Sequence, residues 1–375
     1  MGSRRRRVPV AIAHDYLTQR GGAERVVLAL SRAYPQAPIY TTLYDPDATY
    51  PEFAEREIIT SPLNRVGPLR TDHRRALPFL ARAVSDTRID ADITIASSTG
   101  WAHGFTTTGK LLVYCHNPAR WLYQTDEYLG ETGPLSPKRL AVAALGPSLR
   151  RWDKAAAIRA DRYLANSTVV RQRILSAYGI CAPVLFPPPG LAAEGQESAH
   201  PHLADWGEDG YWLVVSRLMP YKNVDVAIDA FRDSGRRLVI VGSGPERERL
   251  LAMAPDNVRL VSDVSDAELR WIYGHAQGLV APSREDFGLT PLEANARGLP
   301  VAALRAGGYL DTVADGLSGL FFRAVEADAV RATVQEVAQR SWDADAIRAH
   351  AESFAEPSFI RKIRAEVERL VESDR

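Results

Sequence analysis

The sequence predicts an α/β protein made of two doubly wound domains. A chain of 375 residues is longer than one hydrophobic core usually grows, so two domains are the expectation. Short apolar runs alternate with helical patterns along most of the chain, which is typical of βαβ units around parallel sheets. This alternation stops at a Pro- and Gly-rich stretch, residues 187–210, which we interpret as the linker.

The first domain is predicted to span residues 1–190. Its strand candidates share apolar, β-branched or aromatic residues bounded by turn residues. They are 8–14, 38–43, 92–98, 110–115, 163–167 and 183–187. Helical patterns occupy 21–33 and 137–160 between them.

The second domain is predicted to span residues 191–356, where the alternation is cleaner. Helical patterns of about ten residues separate its strand candidates. These strands are 211–216, 237–242, 258–262, 278–282, 300–304 and 319–322. An amphipathic stretch at 357–371 follows and could pack on either domain.

Composition and charge limit the classes of protein to consider. The chain is 46% hydrophobic and 25% charged, and no apolar run approaches the roughly 18 residues of a membrane-spanning helix. The basic N-terminus lacks a following apolar segment, so we expect a protein that is not secreted. With only Cys115 and Cys181, a disulfide framework is excluded and a reducing cytoplasm is indicated.

The net charge of zero conceals two halves of opposite charge. Residues 1–200 carry 25 Lys and Arg against 18 Asp and Glu, whereas residues 201–375 carry 21 against 28. This difference supports two domains, although solvated faces can differ in the same way by composition alone. Nothing in it indicates a nucleic-acid partner.

Several segments at predicted strand ends favour a phosphorylated ligand. Parallel sheets of two facing domains would direct strand ends and helix N-termini to one cleft, where free N–H groups suit phosphates. Gly21 and Gly22 follow the first strand and open a helix, which also fits an ordinary tight turn. Arg217 and Lys222 follow strand 211–216, and such a pair of cations could neutralise a diphosphate or remain solvated.

Two further motifs are weaker. Gly242 and Gly244 follow a strand, but Arg247 occupies the position of the last glycine in a dinucleotide fingerprint. We interpret this segment as a turn beside a nucleotide base or ribose. Asp-x-Asp pairs lack further ligands nearby, so we expect surface carboxylates and no metal site. These pairs are Asp45/Asp47, Asp90/Asp92 and Asp343/Asp345.

The segment SREDFGLTPLEANARGLPV, residues 283–301, combines groups for phosphates and for sugars. Strand 278–282 brings Glu285 to the rim of the sheet, and Glu293 lies one turn into the next helix. Between them, Gly288-Leu289-Thr290 exposes consecutive amides that suit phosphates, while carboxylates suit vicinal hydroxyls. A nucleotide sugar has a hexose, a diphosphate and a ribose in that order, and it matches this set.

The ordered set of motifs resembles the family-four retaining glycosyltransferases of the GT-B fold. The resemblance covers nearly the whole chain and rests on Glu285 and Glu293, separated by seven residues, with the upstream Arg/Lys pair and the segment GGAERVV. The segment YCHNPARWLYQTDEYL is similar to a subgroup of bacterial polysaccharide mannosyltransferases, with Asn117 where Thr is usual. In GT-B proteins two Rossmann-like domains face a cleft, and the C-terminal helix (357–375 here) crosses back to the first domain.

The resemblance implies roles for the donor-site residues. Glu285 would bind hexose hydroxyls and Glu293 the ribose. Arg217 and Lys222 would neutralise the diphosphate, assisted by the amides of residues 288–290 and by Gly22. His116 would orient the reacting sugar or its acceptor.

The resemblance also implies the chemistry. GDP-mannose is the expected donor, and no metal or other cofactor is expected. The resemblance implies that the anomeric configuration is retained by a front-face route in which the leaving phosphate helps to deprotonate the acceptor. No nucleophile is therefore assigned.

The acceptor is expected to bind the first domain. Arg120, Trp121 and Tyr123 combine a cation with aromatic faces that can stack on sugars. A glycan, a lipid-linked glycan or a small molecule would fit equally. The run Arg4–Arg7 could add attraction to the inner membrane surface or form a disordered tail.

Other functions remain open from the sequence. The same fold could use a UDP-, dTDP- or ADP-sugar on a natural-product acceptor. A nicotinamide-dependent oxidoreductase is disfavoured by the incomplete glycine fingerprint. A nucleotide-binding protein without transferase activity is disfavoured by the intact Glu and Arg/Lys pairs.

Overall fold

The computed structural model describes residues 9–125, 137–191 and 194–372. The chain forms two compact units, Met1–Pro187 with Glu356–Arg375 and Pro188–Ala355. Each contains one six-stranded parallel sheet with helices around it. The division lies between 187 and 188, three residues before the predicted one.

The first unit has the strand order β3-β2-β1-β5-β7-β8, and β4 pairs separately with β6. The strands are β1 (Val10–His14), β2 (Ile39–Thr41), β3 (Ile58–Thr60), β4 (Arg88–Ile89), β5 (Ile93–Ser98), β6 (Thr106–Thr107), β7 (Lys110–Cys115) and β8 (Arg162–Ala165). The helices are α1 (Gly22–Ala33), α2 (Gly67–Thr71), α3 (His73–Asp86), α4 (Arg120–Tyr123), α5 (Pro137–Ile158) and α6 (Thr168–Tyr178).

The main sheet of the first unit is buried on both faces. Ala11 and Ala13 of β1 join one hydrophobic core, whereas Ile12 between them joins the other. All six residues of β5 are buried. Strands covered by helices on both sides read as continuous apolar runs rather than alternating ones, which explains why the sequence pattern was strong here.

The second unit has the order β11-β10-β9-β12-β13-β14, which is the doubly wound 3-2-1-4-5-6 arrangement. Its strands are β9 (Tyr211–Val215), β10 (Leu238–Val241), β11 (Val258–Val261), β12 (Ala276–Ala281), β13 (Val301–Leu304) and β14 (Gly319–Phe322). Its helices are α7 (Val224–Phe231), α8 (Arg247–Met253), α9 (Asp266–Gly274), α10 (Leu289–Asn295), α11 (Tyr309–Thr312), α12 (Ala327–Gln339) and α13 (Ala344–Glu352).

Strand predictions were confirmed at most positions, but one predicted strand is absent and three short strands, β3, β4 and β6, were not predicted. The predicted strand 183–187 is only an isolated bridge, Ala165 with Val184, because the prolines that follow have no N–H to extend a ladder. Strand β3 was missed because it has only three residues and follows a charged segment. The alternation of strands and helices thus gives the architecture but not its short edge strand.

The segment predicted as a linker, 187–210, is not a free connection, because its described residues from 188 onward belong to the second unit. Leu191, Leu203 and Trp206 are buried in its core. The guanidinium of Arg259 lies 4.0 Å from the centroid of the Trp206 ring, a cation–π contact. Its Pro and Gly content reflects an irregular path, while its few large apolar residues hold it in place.

The last helix, α14 (Glu356–Glu372), completes the first unit. Phe359, Ile363 and Val367 recur every four residues and join the core that contains Ile12 of β1. The Arg162 Nε atom donates to the Glu366 carboxylate at 2.7 Å, which ties the helix to β8. The first unit therefore needs the C-terminal end of the chain for its core.

We expect Phe359→Ala to lower the free energy of unfolding by about 3–5 kcal/mol, because it removes a buried ring and leaves a cavity. Phe359 is 1% exposed. Lys362→Ala, at an exposed position of the same helix, is the control and should change stability by less than about 0.5 kcal/mol. Urea titration monitored by circular dichroism measures both. Equal stability of the two variants would contradict the packing of α14 described above.

Candidate functional site

The predicted donor-site residues follow two neighbouring strands of the second unit, β9 and β12. The strand order reverses between them, and α/β proteins bind ligands beyond the carboxyl ends of strands at such a point. Arg217 and Lys222 come after β9, and Glu285 comes after β12. Residues more than 60 positions apart in the sequence are thus brought to one edge of the sheet.

Lys222 and Glu285 form an ion pair. The Lys222 Nζ atom donates to Glu285 Oε1, and Lys222 is only 6% exposed. Lys222 ends a short 3₁₀ turn, and Asn223 after it adopts a left-handed conformation with φ of 54°. The Asn223 Nδ2 atom donates to Pro282 O at 3.0 Å and ties this turn to the end of β12. A buried ammonium needs such a partner, since desolvating an unpaired charge is costly.

Ser283 and Tyr309 also hold the Glu285 carboxylate. The Ser283 Oγ atom donates to Glu285 Oε1 at 2.7 Å and lies 3.0 Å from the Tyr309 hydroxyl. Because the serine proton goes to the carboxylate, Tyr309 donates to Ser283. Burial raises the pKa of Tyr309, and the nearby Glu285 charge raises it further, so the phenol remains protonated. Gly308 N also donates to Glu285 O at 2.7 Å and fixes the backbone.

Arg217 lies on the same loop as Lys222 but has a different environment. It is exposed, and its Nη2 atom donates to the Tyr221 hydroxyl at 3.0 Å. Tyr221 is itself 50% exposed, and the Lys222 Nζ atom lies 5.2 Å from its ring centroid. The structure therefore buries one predicted cation, Lys222, in an ion pair and leaves the other, Arg217, at the surface.

Gly242 and Gly244 support the Arg217 loop. A Cβ atom on Gly242 would lie 1.9 Å from Ser216 O, and one on Gly244 would lie 2.3 Å from Leu218 O. Leu218 N donates to Ser243 O at 2.8 Å and joins the same two loops. These glycines therefore have a packing reason to lack side chains, and their contact with a nucleotide base or ribose stays a prediction.

The predicted phosphate amides lie at the start of α10. Gly288 adopts φ of 92°, a left-handed conformation, and a Cβ atom there would lie 2.5 Å from the Tyr309 ring. No side chain caps this helix start, at Leu289 and Thr290. Gly288 is buried and Leu289 and Thr290 are partly exposed, and the binding of a phosphate by the amides of residues 288–290 stays a prediction.

Glu293 differs from the expectation because its carboxylate contacts protein groups. It is 8% exposed, and its oxygens accept from Leu191 N at 3.2 Å and the Tyr273 hydroxyl at 3.0 Å. Its position one turn into α10 brings it against the segment after residue 188. A carboxylate has about four acceptor sites, so ribose binding stays a prediction that these contacts do not exclude.

In the first unit the sheet order reverses between β1 and β5, and polar residues cluster there too. The Asp15 carboxylate accepts from Thr99 N and Oγ1, both at 2.5 Å, from Trp101 N at 2.9 Å and from Ala102 N at 2.5 Å. One buried side chain thus fixes the loop that follows β5. Nothing in the local sequence pattern indicated this function for Asp15.

His116 follows β7 and is partly exposed. Its Nε2 atom lies 2.8 Å from Ser97 Oγ. Burial lowers the pKa of His116 to about 3, and the positive charge of His14 acts in the same direction. His116 is therefore neutral at physiological pH, while its place near a sugar stays a prediction.

Behind Ser97, His14 and Glu24 form a second buried pair. His14 Nδ1 lies 2.8 Å from Ser97 O, and His14 Nε2 lies 3.8 Å from Glu24 Oε1. Burial alone would lower the pKa of His14, but Glu24 and Asp15 outweigh it and the pKa is raised. Burial alone would raise the pKa of Glu24, but His14 outweighs it and the pKa is lowered.

Gly21 and Gly22 stand at the start of α1, as predicted. A Cβ atom on Gly21 would lie 2.5 Å from Glu24 Oε2, so this glycine makes room for the Glu24 carboxylate. Gly22 is exposed. A local reason thus exists for Gly21, and phosphate binding by either glycine stays a prediction.

Trp121 and Tyr123, two of the three predicted acceptor residues, pack against protein. The Trp121 ring stacks on Trp101 with centroids 5.0 Å apart, and the Tyr123 ring meets Tyr178 edge-on at 5.8 Å. A helix as short as α4 is held by its side chains, which explains why these rings face the core. Arg120 is exposed, and acceptor binding by this segment stays a prediction.

Each Asp-x-Asp pair has an ordinary local hydrogen bond, and in one pair Thr108 Oγ1 donates to Asp90 Oδ1 at 2.9 Å. Asp343 caps α13 by accepting from Asp345 N, and Asp45 Oδ1 accepts from Asp47 N at 3.3 Å. Within the described residues, no group of three or more His, Cys, Asp or Glu could hold a metal ion. No helix in that part of the chain is long and apolar enough to cross a bilayer. The arginine run at residues 4–7 lies outside the described residues.

Five residues that sequence reasoning missed help to build these clusters. They are His14, Glu24, Ser97, Ser283 and Tyr309. A signal existed for two of them: His14 ends the first strand, and Ser97 belongs to a Ser-Ser-Thr run that ends a buried strand. Polar residues at the carboxyl end of a parallel strand are candidates for a site.

Comparisons with known proteins cover both units. The model described as Glycosyltransferase Family 4 matches residues 20–191, and the model described as Glycosyl transferases group 1 matches residues 197–353. The HepE protein of Anabaena, solved in complex with UDP, superposes with a TM-score of 0.69 over 96% of this chain and 100% of that one, at 16% identity. Sucrose-phosphate synthase of Thermosynechococcus elongatus superposes with a TM-score of 0.69 over 98% and 100%, at 19% identity.

Curated relatives align over part of the chain. A GDP-mannose-dependent alpha-(1-6)-phosphatidylinositol monomannoside mannosyltransferase of Mycolicibacterium smegmatis is 31% identical over 49% of this chain and 57% of its own length. A D-inositol 3-phosphate glycosyltransferase of Streptosporangium roseum is 33% identical over 49% and 48%. The chain spans about half the length of the curated relatives it matches. The solved neighbours are less than 25% identical and show only that the chain has their GT-B fold. The two family models together match most of the chain, and it therefore belongs to the family-four glycosyltransferases.

Proposed function

We propose that this protein is a retaining glycosyltransferase that transfers mannose from GDP-mannose to a hydroxyl acceptor without a metal ion. The observation that carries the proposal is the ion pair between buried Lys222 and partly exposed Glu285 at the switch point of the second unit. A cation and a carboxylate side by side suit a ligand in which a diphosphate is joined to a sugar. The mannosyltransferase relatives, 31% identical over about half of the chain, favour mannose and GDP.

In this proposal Lys222 stabilises the charge that develops on the departing diphosphate. An ammonium group has three N–H donors, so Lys222 can keep its bond to Glu285 and still bind a phosphate oxygen. Arg217, exposed beside it, would close on the phosphates as a second cation. Cations held in place before the reaction stabilise the transition state without reorganisation, which is a large source of catalysis.

Glu285 is proposed to bind hydroxyls of the hexose. Lys222 and Ser283 both donate to its Oε1 atom, which leaves Oε2 as the acceptor for a sugar hydroxyl. Glu293 and the amides of residues 288–290 would hold the ribose and the phosphates. We assign no protein nucleophile, and the leaving phosphate would accept the proton of the attacking hydroxyl.

The acceptor is proposed to be a glycan, a lipid-linked glycan or a small molecule that binds the first unit, where Arg120 could contact a phosphate or carboxylate group. The mycobacterial relatives act, by their names, on a phosphatidylinositol mannoside. We propose a cytoplasmic protein that can associate with the inner membrane surface, with residues 4–7 adding attraction to anionic lipid. No nucleic-acid partner is proposed.

Calorimetric titration with GDP, UDP, dTDP, ADP and NAD, without added metal, tests the donor. We expect GDP to bind most tightly. A preference for another nucleoside diphosphate would be consistent with a glycosyltransferase but would contradict the assignment of GDP-mannose as the donor. Binding of NAD alone would favour an oxidoreductase and contradict the transferase.

Lys222→Ala is expected to weaken GDP binding by about 1–3 kcal/mol, the usual effect of losing a charge-assisted hydrogen bond. Lys154→Ala, at an exposed position on α5, is the matched control and should bind GDP like the wild type. Calorimetry of the folded variants measures both. An unchanged affinity of the Lys222 variant for GDP would show that Lys222 does not bind the diphosphate.

Glu285→Gln should separate binding from turnover. The substitution removes the charge that competes with phosphate for Lys222, so GDP should bind at least as tightly as to the wild type. Mannose transfer should fall at least about tenfold, since a hydrogen bond to the hexose is weakened by about 1.4 kcal/mol or more. Glu248→Gln, at an exposed position of α8, controls for the chemistry of the change. Wild-type turnover in the Glu285 variant would refute its assignment to the sugar.

A further inference from the structure

Ser97 contacts two histidines at the carboxyl ends of three adjacent strands. Its carbonyl oxygen lies 2.8 Å from His14 Nδ1, and its hydroxyl lies 2.8 Å from His116 Nε2. The strands β1, β5 and β7 that carry these residues are neighbours in the sheet. One buried serine therefore connects the partly exposed His116 to the buried His14.

The contacts of His14 define its protonation. A carbonyl oxygen only accepts, so the Nδ1 atom of His14 carries a proton. Its Nε2 atom faces the Glu24 carboxylate at 3.8 Å, where a neutral ring would turn a lone pair toward a negative charge. An imidazolium donates to Ser97 O and forms an ion pair, not a hydrogen bond, with Glu24. The other titratable groups near the His14–Glu24 pair are Asp15, which also favours the charged ring, His116, and His73. Burial lowers the pKa of His73, and the charge of Glu24 opposes that shift.

The hydroxyl of Ser97 then defines the tautomer of His116. In residues 9–125, 137–191 and 194–372, the single hydrogen bond of Ser97 Oγ is to His116 Nε2. If Ser97 accepted a proton from Nε2, its own proton would have no acceptor in this part of the chain. Donation from Ser97 to Nε2 satisfies both groups and leaves the proton of a neutral His116 on Nδ1.

We propose that Ser97, supported by the His14–Glu24 pair, holds His116 as a neutral imidazole with its proton on Nδ1, so that His116 donates a hydrogen bond to a substrate oxygen and does not act as a general base. The contact with substrate rests on the proposed function, whereas the tautomer does not. Ser97, His14 and Glu24 are positioning residues in this scheme.

Both the geometry and the electrostatics oppose a base at this position. The Nε2 lone pair of His116 is already used by Ser97. The charge of His14 nearby disfavours a second cation, in agreement with the low pKa of His116. No proton is transferred to His116 in the scheme. Its Nδ1–H group donates a hydrogen bond to an oxygen of the donor sugar or of the molecule that receives the sugar.

Nuclear magnetic resonance of the full-length protein with ¹⁵N-labelled histidine tests the tautomer directly. We expect the His116 ring, assigned by loss of its signals in His116→Asn, to be neutral with the proton on Nδ1 from pH 5 to 8. Ser97→Ala should shift the ring toward a mixture with the Nε2–H form. Ser98→Ala is the matched control, because the Ser98 hydroxyl contacts Gly100 N instead.

Three results of this measurement would overturn the proposal: an Nε2–H form in the wild type, titration of His116 between pH 5 and 8, or an unchanged ring in Ser97→Ala. In a transfer assay with GDP-mannose, Ser97→Ala should lower kcat about tenfold and leave GDP affinity unchanged. A wild-type kcat would remove Ser97 as a positioning residue. If no nucleotide sugar supports transfer by the wild type, the proposed function fails while the spectra still decide the tautomer.

The support from Glu24 predicts a pH-dependent effect on stability. The raised pKa of His14 gives stability that is complete below its ordinary value of 6.5 and is lost as pH rises through the folded pKa. The lowered pKa of Glu24 gives stability that is complete above 4.5 and is lost as pH falls through the folded pKa. Glu24→Gln should therefore lower the urea midpoint more at pH 5.5 than at pH 8.5.

The exposed position Glu52 supplies the control for this measurement. Glu52→Gln should shift the midpoint little at either pH. A loss in Glu24→Gln that is the same at both pH values would mean that His14 and Glu24 do not form a charged pair. The proposal would then lose the support that it assigns to them.

Discussion

The burial of both parallel sheets on two faces is the constraint on which the rest of the structure depends. A strand such as β5, with all six residues buried, cannot carry a solvated polar group along its length. Functional side chains are therefore confined to the strand ends and the loops that follow. In the second unit this brings Lys222 and Glu285 together across the point where the strand order reverses, and in the first unit it brings His14 beside Ser97. Charged and polar functional groups therefore occur at the strand ends, because the buried interior of the sheet cannot solvate them.

The buried charges at these strand ends are paired, whereas Arg217 at the same strand end as Lys222 is exposed. Lys222 is nearly buried but has Glu285, and His14 is buried but has Glu24. Removing one member of such a pair leaves an uncompensated charge, whereas the pair as a whole adds little to stability once desolvation is counted. The main effect of each pair is therefore to hold a charge at a fixed position, and its contribution to the free energy of folding is small. Ligand binding can use that charge without reorganising the protein.

The sequence was sufficient to predict the layered architecture, because alternating apolar runs and helical patterns reflect burial directly. Lys222 and Glu285 were predicted from their position after strands and from the spacing to Glu293. The partners of these residues were not, because Ser283 meets Tyr309 and His14 meets Ser97 only through the order and register of the strands and loops. His14 and Ser97 are register partners 83 positions apart, and no local pattern encodes that distance. Gly242 and Gly244 show the opposite case, since a motif read as a nucleotide contact has a packing reason in the approach of two loops.

The contrast between His14 and His116 follows from the same electrostatics. Two imidazoles on one serine cannot both be charged at low cost in a buried setting, since like charges disfavour each other there. The Glu24 carboxylate favours protonation of His14, because it faces His14 directly. The His116 Nε2 atom contacts Ser97 and not Glu24. His116 is thereby left neutral, with its single N–H proton on a defined ring nitrogen. In a reaction where the departing phosphate is the base, a neutral donor of fixed tautomer can orient an oxygen without competing for the proton that must leave with the phosphate.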